Sequence, residues 1–170
     1  MYIFRTFFFL NIFILTSLNC QAATNPFIAV FIDAKTEKAL GPFPYVRIQT
    51  ARAIAKMREA GAKGTVIKYY LDQALPGTGD DELAAELKRF PVVLQARFDE
   101  DEKTPAPFPT RFDISNRVHG NTDKLLKGKS GWIPLEKLSK NCAGFGFVDV
   151  ASESGMQVPL IVSYQSHLVP

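Results

Sequence analysis

"TVIKYYLDQALPGTGDDELAAELKRFPVVLQARF", Thr65–Phe98, is the stretch on which the fold turns. Thr65–Asp72 is rich in β-branched and aromatic residues, which suit a pleated strand. Pro76, Gly77 and Gly79 then break the chain into a loop. A helix follows up to Phe90. Thr78 or Asp80 can cap it, and Asp81 and Glu82 suit its positive N-terminus. Pro91–Phe98 is a second apolar strand. Two strands joined by a crossover of helical length pair in parallel, with a right-handed connection.

Towards the N-terminus the same alternation repeats. "FIAVFID" (Phe27–Asp33) is a continuous apolar run, expected as a strand buried on both faces. Pro42 and Pro44 forbid a helix interior between it and "RIQTARAIAKMREAGAKG". In that stretch Gln49, Arg52, Lys56, Glu59 and Lys63 share one helical face, and Ile48, Ala51, Ile54, Ala55 and Met57 the other. Gly61 and Gly64 offer its stop.

Towards the C-terminus, Asp99–Gly131 is an acidic, proline-rich and polar excursion, long for a connection inside a compact domain. "WIPLEKLSKNCAG" predicts a short helix from near Pro134, with Leu135 and Leu138 inward. A closing hairpin is expected from Phe145–Val150 and Val158–Tyr164, turning at Glu153–Gly155. The predicted fold class is α/β: a mostly parallel sheet flanked by helices, with a C-terminal antiparallel hairpin.

The first 22 residues are of another kind. One cation, Arg5, precedes an apolar run from Phe7 to Leu18 and then small residues, the pattern of a secretory signal peptide cut near Ala22. An uncleaved N-terminal membrane anchor is the alternative, although the run is short and Asn11 interrupts it. The expectation is a periplasmic or secreted protein with one domain over 23–170. Loss of Arg5 leaves 19 basic and 17 acidic residues, a net +2. That excess, spread along the chain, gives no reason to expect nucleic acid as a partner. Only Cys142 remains, so the mature chain can form no intramolecular disulfide. Nothing electropositive stands beside it in sequence, and a small buried apolar residue is expected.

Several apparent motifs fall away. "GKS" (Gly128–Ser130) has Asp123 where a phosphate loop needs glycine. "GFG" (Gly144–Gly146) lacks the third glycine of a dinucleotide fingerprint. "DEDE" (Asp99–Glu102) lacks the spacing of a calcium loop. His119 and His167 have no neighbouring acid or serine in a suggestive context, and no Cys/His spacing suits zinc. No catalytic residue, metal site or cofactor is expected, and the protein is read as a non-enzyme.

Polar residues at strand ends remain. In an open parallel sheet, ligands bind beyond the carboxyl ends of the strands. Asp33 and Asp72 close the first two expected strands, Arg47 opens the first long helix, and Asp80 opens the next. These four are the candidate ligand-binding residues. The competing reading is that the aspartates cap loops and pair with Arg47. A hydrolase using Asp33, Asp72 and a divalent metal is a third, more demanding possibility.

The order of these features resembles a known family. The carrying segments are "FIAVFIDAKTEKALGPFPYVR", "AIAKMREAGAKGTVIKYYLD", "DDELAAELKRFPVVLQA" and "CAGFGFVDVASESGMQVPLIVSY". Together they resemble the second type of CHASE domain, an extracytoplasmic sensor domain of bacterial adenylate cyclases, histidine kinases and diguanylate cyclases. The matching positions are Asp33, Gly41–Arg47, Ala60-Gly61-Ala62, Asp72, Asp80-Asp81, Gly146, Gly155 and Pro159-Leu160. Phe43-Pro44 replaces the family's Trp-Pro, Leu71 replaces its phenylalanine, and the arginine after the hairpin turn is absent, with Gln157 nearby. The resemblance implies a non-enzymatic sensor-type module of bacterial signal transduction. Its partner would be a small molecule or a membrane signalling protein. Transmembrane and output segments, which follow this domain in the family, are not in this sequence, so a truncated, non-functional remnant is the alternative expectation.

Overall fold

The computed structural model describes residues 26–75, 77, 79–99, 107–147 and 160–170. The chain divides into two compact units, one up to Pro42 and one from Phe43 to Pro170.

Among the described residues of the N-terminal unit the one element is helix α1 (Ala34–Leu40). Asp33 caps it: its Oδ1 accepts from the Thr36 N–H at 2.9 Å and from the Thr36 hydroxyl at 2.9 Å. Gly41, at φ 90°, ends it. The expected first strand does not form. Phe27–Asp33 belongs to no ladder, and Phe27, Ile28, Val30 and Phe31 are largely exposed. An apolar run signals a tendency to be buried. A strand also needs a neighbour for its backbone groups, and described residues 26–42 offer none.

The described residues of the second unit hold α2 (Arg47–Glu59), β1 (Thr65–Ile67), α3 (Asp80–Arg89), β2 (Val92–Asp99), β3 (Lys127–Gly128), β4 (Ser130–Trp132), α4 (Glu136–Ser139), β5 (Gly144–Phe147), β6 (Val162–Tyr164) and β7 (His167–Val169), with single 3-10 turns at Thr110–Phe112 and Ser115–Arg117. The predicted crossover is present. β1 pairs in parallel with β2, Thr65 opposite Val92, and β5 pairs in parallel with β2, Val93 opposite Gly144.

The prediction of a mostly parallel sheet needs correcting, because both sheets are mixed. The far half of β2 pairs antiparallel with β4, Phe98 opposite Gly131. Gly131 permits the approach: at φ 157° a Cβ there would lie 2.1 Å from the Arg97 carbonyl oxygen. The second sheet runs β3-β6-β7, with β3 parallel and β7 antiparallel to β6. The part of the polar excursion that is described therefore returns strands to both sheets.

The terminal hairpin is also a different one. β6 turns at Gln165 and Ser166, both at positive φ, and pairs with β7. β5 lies in the first sheet, and the expected turn at Glu153–Gly155 is outside the described residues.

β2 explains how one strand serves two cores. Its burial alternates, with Val92, Leu94, Ala96 and Phe98 inward. Val92 and Leu94 pack with Ile54, Leu83, Leu87 and Leu138 from the helices. Ala96 and Phe98 pack with Phe108, Ile133, Val162 and Tyr164. Phe98 stacks on Phe147 with ring centres 3.9 Å apart. The opposite faces carry Val66 and Arg97, both exposed, so this sheet has one buried side.

Candidate functional site

The start of α2 brings a buried cation to the carboxyl end of β1. Arg47 is the first residue of the helix and is only 3% exposed. Residues 47, 50, 51 and 54 share one helical face, and all four are buried. The sequence pattern gave that face to apolar residues, so Arg47 and Thr50 are polar insertions into it.

Arg47 has two partners. Its Nη2 donates to the Gln73 carbonyl oxygen at 3.0 Å, holding the loop that leaves β1. Its Nε lies 3.4 Å from Oδ1 of Asp80, the first residue of α3. This contact is an ion pair without hydrogen-bond alignment. Both atoms are buried, and neither makes a hydrogen bond to a protein group. Such a pair is attractive in a poorly solvated site, yet leaves donor and acceptor capacity unused.

Asp80 is set in place by Gly79, which caps α3 at φ 92° and ψ 36° with no side-chain bond. The expected caps are therefore corrected: Asp80 is inside the helix, and Thr78 is outside the described residues. A Cβ on Gly79 would lie 2.8 Å from the Ile48 backbone nitrogen, so glycine allows the two helix starts to approach.

An aromatic and hydroxyl group stands beside the pair. Phe43 meets Tyr45 and Tyr69 edge-on, at 5.8 and 5.5 Å between ring centres. Tyr69 Oη and Thr50 Oγ1 are 2.7 Å apart. Burial pushes the Tyr69 phenol up from its ordinary value, while the Thr50 bond and the Arg47 charge pull it back. Two contacts pin this loop: Leu135 N–H donates to the Leu71 carbonyl oxygen at 2.9 Å, and Tyr70 packs edge-on against Trp132.

Of the four predicted site residues, the structure joins Arg47 and Asp80. Asp72 is half-buried on the same β1 exit loop, one residue before the carbonyl that Arg47 holds. Asp33 caps α1 in the N-terminal unit, where Thr36 holds its carboxyl below the usual range. An open groove of about 340 Å³ between α2 and α3, floored by Ala51, Ala55 and Ala85, includes neither Arg47 nor Asp80.

Two further clusters had no local signal in the sequence. Asp113 accepts from the Ser115 N–H at 2.8 Å and from the Ser115 hydroxyl, and its other oxygen lies 2.7 Å from His167 Nδ1. His167 thus has an orienting acid after all, 54 residues away. The serine hydroxyl bonds the acid and not the imidazole, so this is no charge-relay arrangement. Arg111 donates to the carbonyl oxygens of Ser139 and Cys142 and lies 3.6 Å from the Cys142 sulfur. A cation does therefore stand beside Cys142. Burial still dominates and pushes the thiol up. Among the described residues, no group of three or more His, Cys, Asp or Glu could hold a metal ion.

The chain matches no family model, no curated protein and no solved structure.

Proposed function

We propose that the protein is a non-enzymatic, extracytoplasmic ligand-binding module of sensor type, exported by its N-terminal 22 residues. The resemblance to the second type of CHASE domain supports this reading. The observation that carries it is the Arg47–Asp80 pair: a buried guanidinium with an Nε–H that donates to no protein group, at the carboxyl end of a parallel strand. A small molecule bearing a carboxylate or phosphate can supply the missing acceptor, since guanidinium matches both in geometry. The Thr50 and Tyr69 hydroxyls beside the pair suit a polar ligand with hydrogen-bonding groups of its own.

The test is thermal unfolding of the purified chain against a panel of small carboxylates and phosphates. A ligand that binds only the folded state raises the midpoint with concentration, and at a hundredfold excess over Kd it adds about 2.7 kcal/mol of stability. The expected hit loses its effect in Arg47→Lys, which keeps the charge and loses the Nε donor. A panel with no concentration-dependent shift, or a shift equal in Arg47→Lys, defeats the proposal.

A further inference from the structure

Beside Arg47 Nε stands a second unsatisfied group, and it is an acceptor. Oδ1 of Asp80 is buried and makes no hydrogen bond to a protein group. The two atoms lie 3.4 Å apart, paired by charge and not by a hydrogen bond. A buried donor and a buried acceptor, both unused and side by side, suit a ligand that carries an acceptor and a donor on neighbouring atoms.

We propose that the ligand is an α-amino acid with free ammonium and carboxylate groups and an apolar side chain. This rests on the ligand reading of the Arg47 site and narrows it. The carboxylate accepts from Arg47 Nε, and the ammonium donates to Asp80 Oδ1. Each charge of the protein exchanges its present counter-ion for one on the ligand, so neither is left buried alone. Hydrogen bonds between ionised groups are the strong kind, which offsets the desolvation of the ligand. An anion without a cationic group fares worse. A phosphate on Arg47 would stand against the Asp80 carboxylate, and like charges at that distance repel. A simple amine on Asp80 meets the same difficulty with Arg47. Two protein atoms only 3.4 Å apart also select amino and carboxyl groups carried on one carbon.

The surroundings agree with this assignment. α2 and α3 begin at Arg47 and Asp80, and neither helix has a side-chain cap. Their positive ends add to the attraction for a carboxylate. The Asp80 side chain is 20% exposed and that of Arg47 4%, so the ligand meets Asp80 first, ammonium leading. Phe43 offers a surface for the side chain. It is 46% exposed, and its ring meets Tyr45 and Tyr69 edge-on. Tyr69 in turn bonds Thr50, one helical turn beyond Arg47. Apolar atoms laid on Phe43 are removed from water, which favours binding.

The test is titration calorimetry on the purified chain with L-leucine, L-methionine and L-phenylalanine. Each is compared with its N-acetyl derivative, which keeps only the carboxylate, and its amide, which keeps only the ammonium. Inorganic phosphate completes the set. At least one amino acid should bind, and both its derivatives should bind more weakly by roughly thirtyfold or more, the loss that follows from leaving one buried charge without a partner. In Asp80→Asn the N-acetyl derivative should match the amino acid, because nothing there recruits an ammonium. If that variant fails to fold, the comparison on the unaltered protein decides alone. Phe43→Ala should weaken the amino acid and keep its preference over both derivatives, and an unchanged affinity overturns the apolar side chain. An N-acetyl derivative or phosphate that binds as tightly as the amino acid overturns the inference and leaves the ligand reading of Arg47 standing. So does binding of another carboxylate that is lost in Arg47→Lys, with no binding by the three amino acids. An amide that binds as tightly as the amino acid, or no binding by any carboxylate or phosphate, defeats both.

Discussion

The Nε of Arg47 and the Oδ1 of Asp80 lie 3.4 Å apart at the first residues of two helices, with the arginine almost wholly buried. Removing one partner leaves a charge in a poorly solvated place, while removing both does not. Asp80→Asn should therefore cost about 3 kcal/mol, at the lower end for a broken buried pair because Asp80 keeps some exposure. The double variant Arg47→Met/Asp80→Asn should cost clearly less than the sum of the two single changes. Urea unfolding of all four proteins gives the coupling directly. Strict additivity would show that the two side chains do not act as a pair.

Gly79 sets how closely those helices start. Gly79→Ala meets two obstacles: a positive φ that L-residues avoid, and a Cβ 2.8 Å from Ile48. The substitution should destabilise by more than about 1 kcal/mol, where a compatible site would gain stability. Gly77, also at positive φ but with nothing near its Cβ, separates the effects. Gly77→Ala should cost less than Gly79→Ala in the same unfolding assay. Equal costs would mean that the contact with Ile48 contributes nothing.

Strongly periodic elements were legible. α3, β2 and α4 stand where cap-side acids, β-branched residues and paired leucines predict them, and β1 begins where expected but ends at Ile67, so Asp72 closes no strand and lies in the loop beyond it. Three kinds of feature were not. Phe27–Ile32 reads as a buried strand because apolarity reports a demand for burial and is silent about a ladder partner. β7 is hidden because Gln165 and Ser166 make its turn at positive φ without a glycine or asparagine to announce it. β3 and β4 lie in a polar stretch of two and three residues each, too short for any period to show. Within the candidate site, Arg47 and Asp80 were visible as helix openers. Thr50 and Tyr69 passed as ordinary helix and strand residues. The Asp113–His167 contact spans 54 positions, and only the folded chain brings it together.

That contact predicts an acid limb of stability. Ser115 first, and then His167, hold the Asp113 carboxyl well below the usual carboxylate range. A depressed folded-state pKa stabilises the fold above the unfolded value, about 3.9 for aspartate, and that stabilisation fades as pH falls towards the folded value. At neutral pH the protein should therefore be more stable than Asp113→Asn. The difference should shrink steadily below about pH 4. Urea midpoints from neutral pH into the acid range check this. A gap that stays constant through the acid range would show that Asp113 acts by packing and not by its charge.

Cys142 should behave as a core residue despite its cation. Its side chain is 1% exposed, and burial raises its pKa while Arg111 works against the rise. A thiolate-selective reagent at mildly alkaline pH should leave it unmodified in the native protein and react promptly once urea unfolds the chain. Arg111 is placed to brace α4, since it donates to the carbonyl oxygens of Ser139 and Cys142 at the helix end. Arg111→Met keeps much of the contact over the Phe112 ring and loses those bonds. It should lower stability by about 1–3 kcal/mol. It should also speed native labelling of Cys142 through easier local opening, although loss of the cation by itself makes the thiol less acidic. Rapid labelling of the unaltered protein would instead identify Cys142 as an exposed, activated thiol and remove it from the core.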